Sequence, residues 1–283
     1  MNKSTTLLRA ALALTVLATA ACTDPAKKSA ERAKVQAEEL SALVTADVDE
    51  LRRGMPIGAE EIAKALLPGE TRADALEPSD VRKALRRIRS VVPDLRSAKS
   101  TFMALATIEG VGIRSDLEED RMAGIKLFET FPAFAAAKGS FTTTIGTFDE
   151  AKGAVVDDDF AAMVPVKVGL ETKAVLLSGW TFRAFARHLQ AQAEQTMADK
   201  RKAGTETEKA PVLYVAIADA RGTFGSPTTP KVNLDTVQAL APTTLATGTT
   251  GTKEIEGRAF GWAVARAPAM GPEVTVVVLR SDL

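Results

Sequence analysis

The sequence predicts an α+β chain: an N-terminal helical segment followed by two units of one plan, each an antiparallel sheet with helices on one face. Three observations carry this. Apolar residues recur at helical spacing as far as Val92. From Phe102 the pattern changes to short apolar runs punctuated by Gly turns, which is how strands read. A strand–Gly turn–strand motif met first at Ala104 then returns at Ala216.

The composition excludes several chemistries. The chain has 283 residues, 46% hydrophobic and 25% charged, which is ordinary for a globular protein. One cysteine forbids an internal disulfide and a cysteine-cluster metal site. One histidine forbids a multi-His zinc site and leaves any Ser-His-Asp triad dependent on His188. With 36 basic and 36 acidic residues, general nucleic-acid binding is not expected.

Residues 1–21 read as a secretory signal. Lys3 and Arg9 make a basic start, and Ala10 to Ala21 is apolar apart from Thr15 and Thr19. That run is shorter than the roughly 20 residues a spanning helix needs, and no later run reaches that length. The lone cysteine, Cys22, follows Thr19-Ala20-Ala21 directly. These four residues resemble the lipobox of bacterial lipoproteins, with Thr19 standing where Leu, Val or Ile is usual. The alternative is an ordinary signal cut after Ala18-Thr19-Ala20. The lipobox resemblance implies lipidation at Cys22 and an exported protein held to a membrane on the periplasmic side. Thr23 in place of Asp favours the outer over the inner membrane by the same analogy. Loss of residues 1–21 leaves 34 basic against 36 acidic residues.

Residues 22–98 are expected to form a lipid-anchored tether and a helical segment. Leu40, Val44, Val48 and Leu51, with Leu43, share one helical face, and Gly54 and Pro56 are expected to stop that helix. A second helix is expected over 60–67. Ser79 or Asp80 can cap a third, with Val81, Leu85, Ile88 and Val92 as its apolar stripe. Its other face carries Arg82, Lys83, Arg86, Arg87 and Arg89. That face reads as solvated, with an anionic partner or lipid headgroups as the alternative.

The first and larger unit is placed at 99–204. Strands are expected over 102–108 and 111–115 around a Glu109-Gly110 turn. A helical or loop-like crossover follows over 120–138, interrupted at Pro132. A third strand is expected over 140–148, then a hairpin of 160–168 and 172–178 about Gly169. A long helix over 182–203 buries Phe182, Phe185, Leu189 and Ala193 and ends at Gly204. The second and smaller unit is placed at 205–283, after a polar linker. It has a strand over 212–219, a turn at Arg221-Gly222, a short strand over 223–226 and a helix over 234–240. A mobile Thr/Gly loop is expected over 243–252, with closing strands over 253–267 and 273–280.

Ala104-Leu-Ala-Thr-Ile-Glu-Gly-Val111 aligns with Ala216-Ile-Ala-Asp-Ala-Arg-Gly-Thr223. Pro165…Gly169-Leu-Glu171…Val175-Leu-Leu177 aligns with Pro268…Gly271-Pro-Glu273…Val277-Val-Leu279. Gly110 and Gly222 are expected at tight turns that need positive φ. Each unit resembles a PAS-type fold, and the pair resembles the double-Cache extracytoplasmic sensor region over roughly residues 75–283. The matching text is 102–116, Tyr214-Val-Ala-Ile-Ala-Asp-Ala-Arg-Gly222, Gly257-Arg-Ala-Phe-Gly-Trp-Ala-Val264 and Val274-Thr-Val-Val-Val-Leu-Arg280. The resemblance implies ligand sensing outside the cytoplasm. Family members pass the signal through transmembrane helices to kinase or chemotaxis outputs. No transmembrane segment is read here, so an output would pass through a partner. The family's Arg-x-Trp-Tyr amino-acid signature is absent, so the ligand is not carried over.

The PAS resemblance puts a pocket between sheet and crossover, which points to Arg114, Asp116, Met122, Phe128, Phe131, Met163 and Trp180. Arg114 offers paired donors to a carboxylate, and Asp116 accepts from an amine. The alternatives are a turn-closing surface pair and plain core. Tyr214 reads as core, and Phe260 and Trp262 share one side of a strand. No catalytic group is expected. His188 has no nucleophile at a recognisable spacing and reads as a helix-surface residue. Asp157-Asp158-Asp159 with Asp149 and Glu150 lacks calcium-loop spacing, and Gly110-Val-Gly112 lacks the third glycine of a dinucleotide loop. The expected function is a non-enzymatic, lipid-anchored sensory lipoprotein without cofactor or metal, binding a small organic ligand and acting through an envelope protein or a homodimer. The alternative is an interaction or dimerisation module docking through Leu40, Val44, Val48 and Leu51.

Overall fold

A computed structural model describes residues 24–96, 101–136, 139–147, 157–204 and 209–282. The signal, Cys22, Asp149 and Glu150 lie outside them. Helix α1 runs Pro25–Leu66, 42 residues and about 63 Å at the helical rise. Asp24 caps it, its carboxylate accepting from the Ala26 N–H at 3.0 Å, with Pro25 in the first turn where its missing N–H costs nothing. The expected tether is therefore helical from Pro25 onward.

The stop expected at Gly54 and Pro56 does not occur, and the two expected helices are one. A mid-helix proline costs about 3 kcal/mol, which packing offsets here. Gly54 and Gly58 present bare backbone to Leu95; a Cβ on either would stand 2.9 Å from that side chain. The same helix buries Leu40, Val44, Val48 and Leu51 in the protein's own core, so this stripe cannot also dock a partner.

Helix α2 (Pro78–Val91) lies on α1 through Val81, Leu85 and Ile88. Its basic face is solvated at Lys83, Arg86 and Arg87, as expected, while several of its cations also pair with the chain's own carboxylates. Arg82 and Arg86 bind Glu118 at 3.0 and 2.8 Å, Lys83 binds Asp80 at 3.0 Å, and Arg89 binds Asp116. The Arg86 hydrogen bond, with Arg82 beside it, holds the Glu118 carboxyl below the usual carboxylate range.

The first sheet contains β1 (Phe102–Ala106), β2 (Gly112–Ser115), β3 (Thr142–Thr147), β4 (Asp158–Val168) and β5 (Glu171–Thr181). Its crossover carries two short helices, α3 (Leu127–Thr130) and α4 (Pro132–Ala136). Helix α5 (Phe182–Lys202) then leads to the second sheet. That sheet contains β6 (Val212–Asp219), β7 (Gly222–Gly225), β8 (Thr250–Ile255), β9 (Arg258–Arg266) and β10 (Thr275–Ser281), with α6 (Lys231–Ala239) in its crossover. The strand orders are β2-β1-β5-β4-β3 and β7-β6-β10-β9-β8, the same plan twice.

The repeat is not copied residue for residue. Ala104 pairs with Leu177, whereas its counterpart Ala216 pairs with Val277 and not with Leu279. A slip of two residues leaves every side chain on its own face, so it is tolerated where a slip of one would not be. The strand expected over 253–267 is two strands. Glu256 and Gly257, at φ 49° and 75°, form a two-residue hairpin turn between β8 and β9. The expected Thr/Gly loop gives its last residues to β8. Gly110 has φ 83° as expected, but Gly222 is not in that region. The Asp219 carboxylate closes its turn instead, accepting from the N–H groups of Arg221 at 2.9 Å and Gly222 at 3.2 Å.

Both sheets turn one face to α1, and α1, α2, α5 and those two faces share one continuous core. Contact is closest where small residues meet. Gly261 of β9 lies under Ser29 and Ala30, and a Cβ there would overlap the helix backbone. His188 of α5 is half-buried rather than a surface residue. Its Nε2 is 3.2 Å from the buried Asp47 carboxylate of α1. The opposite faces hold separate clusters under the crossovers, α3 and α4 over the first sheet and α6 over the second. Tyr214, Phe260 and Trp262 belong to the latter cluster.

Candidate functional site: the crossover face of the first sheet

Alternation along the strands decides which side chains reach this face. From β1 come Phe102, Ala104 and Ala106; from β4, Ala161 and Met163; from β5, Val175 and Leu177. The crossover supplies Met122, Leu127, Phe131 and Phe134, with Phe128 at the edge. Alanines on the sheet make room for rings above it. Phe131 and Phe134 are fully buried, 5.5 Å apart and tilted by 41°. Two glycines let the crossover down onto the sheet. A Cβ on Gly146 would stand 2.6 Å from the Phe131 ring, and one on Gly112 would overlap the Met122 carbonyl. Backbone bonds fasten the same segment: Gly112 N–H to the Ile125 carbonyl at 2.8 Å, and Leu127 N–H to the Gly110 carbonyl at 2.8 Å.

The polar rim is built on Asp120. One carboxylate oxygen accepts from Ser115 N–H at 3.2 Å, Ser115 Oγ at 2.9 Å and Met122 N–H at 3.0 Å. Its other oxygen lies 3.3 Å from Arg114 Nη1. Arg114 Nη2 donates to the carbonyls of Leu117 at 3.3 Å and Glu118 at 3.2 Å. Arg114 therefore braces the acidic loop against β2, its side chain 19% exposed.

The seven residues singled out in the sequence divide into two groups. Met122, Phe128, Phe131 and Met163 come together on this face. Arg114 pairs with Leu105, whose side chain is on the α1 side of the sheet, and is tied to the edge of the crossover face only through Asp120. Trp180 does not join them. It lies on the α1 side of the sheet, stacked between Phe160 at 4.7 Å and Phe185 at 4.3 Å. Asp116 does not either. Its carboxylate holds Arg89 of α2 and accepts from Met103 N–H at 2.8 Å, and its carbonyl accepts from Arg86 Nε at 2.9 Å.

The fold can be placed among known ones. The chain is similar to a domain described as that of a sensory box/GGDEF family protein from Vibrio parahaemolyticus, with a TM-score of 0.59 and 10% identity over 92% of this chain and 98% of that one. It is also similar to the extracellular domain of a protein described as the histidine kinase vpHK1S-Z8, with a TM-score of 0.60 and 8% identity over 91% and 92% of the two chains. The chain has a tandem Cache-like fold. No family model matches it, and no curated protein matches it. In this Cache-like frame both sheets follow the two-unit plan that the strand motifs implied. The residue missed by sequence reasoning is Asp120, and the pairing of Arg86 and Arg89 with Asp116 was equally out of its reach. Asp120 sits in the run Glu118-Glu119-Asp120, where nothing local says which carboxylate turns inward.

Among the described residues no helix is long and apolar enough to cross a membrane. Among them too, no group of three or more His, Cys, Asp or Glu side chains is placed to hold a metal ion.

Proposed function

We propose that the chain is an exported, lipid-anchored sensory protein that binds a small organic molecule and acts through a partner. The observation that carries this reading is the same five-stranded plan built twice along one helix, shared over nearly its whole length with a sensory box/GGDEF domain and a histidine-kinase extracellular domain. The first unit is the binding unit in this reading, with Arg114 at the rim to receive a carboxylate and Met122, Phe131 and Met163 below it. The protein works by binding and not by catalysis. The lone cysteine at the end of the signal supports lipid anchoring at Cys22, on the periplasmic side and with the outer membrane favoured.

A thermal-shift screen of the purified chain against organic acids, amines and amino acids tests the ligand, since a molecule that binds the native state raises its melting point. A rise abolished by Arg114→Met supports the reading, and no rise with any class counts against it. Fractionation tests the anchor. Cys22→Ser should move the protein from the membrane to the soluble fraction, and an unchanged distribution would refute lipidation there.

A second reading is favoured by one observation. Phe131, Phe134, Met163 and Leu127 fill the crossover face with the protein's own side chains. On this reading the Cache-like units serve as an interaction module of the envelope, and the screen returns nothing while a bound protein partner or a homodimer is recovered.

A further inference from the structure

We propose a second small-molecule site, in the groove between α1 and α5, that takes a small organic carboxylate bearing a neighbouring hydroxyl or amino group. The groove measures about 390 Å³, and Arg32, Val35, Gln36, Ala193, Met197 and Arg280 are among its lining. That is enough for a metabolite-sized molecule. It lies on the α1 side of the fold, away from the crossover face.

Its floor is chemically mismatched. The Met197 sulfur accepts from Gln36 Nε2 at 3.1 Å and from Arg280 Nη1 at 3.5 Å. Both donors are strong and a thioether is a weak acceptor, while the Nε and Nη2 of Arg280 are held by Asp282. Gln36 and Arg280 are 6% and 4% exposed, so water does little to relieve the mismatch. The Gln36 Oε1 atom is buried with no hydrogen-bond partner. Leaving such a group unpaired has a real free-energy cost, and a structure keeps one where something else can satisfy it.

One ligand chemistry answers all three atoms. A carboxylate in the place of the sulfur accepts from Gln36 Nε2 and Arg280 Nη1, a charge-assisted arrangement much stronger than the thioether's. A donor on the adjacent carbon reaches Gln36 Oε1. Met197 is unbranched with three rotatable bonds, so it can swing aside as a plug does. Val35, half exposed, and Ala193 then take the apolar remainder. Because α5 connects the two sheets, a ligand here bridges that connection and the helix common to both.

Calorimetric titration of the purified full chain with lactate, alanine and propionate tests the site. Lactate or alanine should bind saturably, and whichever binds identifies the donor as hydroxyl or amino. Propionate, lacking the donor, should bind about tenfold more weakly, as the loss of one good hydrogen bond predicts. Gln36→Leu should bring the favoured ligand down to the propionate level, and Met197→Ala, which removes the plug, should tighten it. Should Gln36→Leu fail to show a native melting transition, Gln36→Glu replaces it, and its negative charge should weaken binding further. No saturable binding to either wild type or Met197→Ala overturns the proposal. So does binding that is unchanged in the Gln36 variant. Binding lost in Arg114→Met and kept in Gln36→Leu overturns it as well, while assigning the ligand to the crossover face.

Discussion

Gly261 of β9 lies directly beneath Ala30 of α1, helix backbone against strand backbone, with no room for a methyl group between them. The α1 side of β9 is Gly261, Ala263 and Ala265, and the facing helix residues are Ala30, Ala33 and Ala37. Small residues on both surfaces set this separation. Gly261→Ala should therefore force α1 off the second sheet and cost about 2–4 kcal/mol, at the upper end for overpacking because the obstacle is backbone. Urea denaturation measures it. A loss below about 0.5 kcal/mol, the level of an ordinary surface change, would show that the helix can move away freely.

The rim of the candidate site makes a prediction about partners. Arg114 and Asp116 are two residues apart, yet each serves another residue: Arg114 binds Asp120, and Asp116 binds Arg89. A double-mutant cycle on Arg89 and Asp116 should give a coupling of about 1–3 kcal/mol. The cycle on Arg114 and Asp116 should give a coupling within the roughly 0.5 kcal/mol scatter of independent sites. Equal couplings in the two cycles would contradict this arrangement.

Asp158 begins β4 and touches the other unit, its carboxylate 3.0 Å from Arg221 Nε and accepting from Thr147 Oγ1 at 2.8 Å. Burial pushes its pKa above 3.8, and the neighbouring Asp219 charge adds to that. The sign follows from linkage. A carboxyl raised in the folded state costs stability above its folded pKa, and that cost is gone below 3.8. Asp158→Asn should thus raise the denaturation midpoint at neutral pH. Arg221 keeps Asp219 at 2.9 Å, so it is not left without a partner. The gain should shrink on acidification toward 3.8, and a gain independent of pH would contradict the assignment.

Asp282 behaves in the opposite sense. Burial alone would raise its pKa, but hydrogen bonds from Arg280 and Ser29, with the Arg280 charge, bring it below 3.8. Its carboxylate contributes stability that is present above 3.8 and lost as pH falls through the folded value. Asp282→Asn should cost about 1–3 kcal/mol at neutral pH, the range for hydrogen bonds to a charged group. Denaturation curves of the two proteins should converge below that folded value, and a constant gap would refute the linkage.

The legible part of the fold was the part written in periodicity. The strand 212–219 is legible to the residue, and the two-unit plan is visible in the motifs aligned at Ala104 and Ala216. The structure departs from the sequence where distant packing overrules a local signal. Gly54 and Pro56 look like a helix stop until Leu95, some forty residues later, is seen to pack on the bare backbone of Gly54 and Gly58. Glu256-Gly257 carries the same dipeptide as Glu109-Gly110, yet the strand expected over 253–267 runs straight through it. The PAS resemblance points to Met122, Phe128, Phe131 and Met163, which the structure places on one face, and to Trp180, which it places on the other. The ion pairs are not legible, because an acidic run does not encode which carboxylate turns inward, nor that an arginine of α2 waits for Asp116.

The Asp282 contact has one more consequence. Ser29 Oγ donates to it at 2.8 Å and Arg32 binds it at 3.0 Å, both from the opening turns of α1. Asp282 directly follows β10, which is the middle strand of the second sheet and is paired on both edges. A force applied at the start of α1 is therefore delivered to the interior of that sheet and not to one of its edges. It would act as shear across the two ladders of backbone hydrogen bonds that flank β10 rather than peeling one strand away, so the start of α1 is a mechanically resistant place to pull.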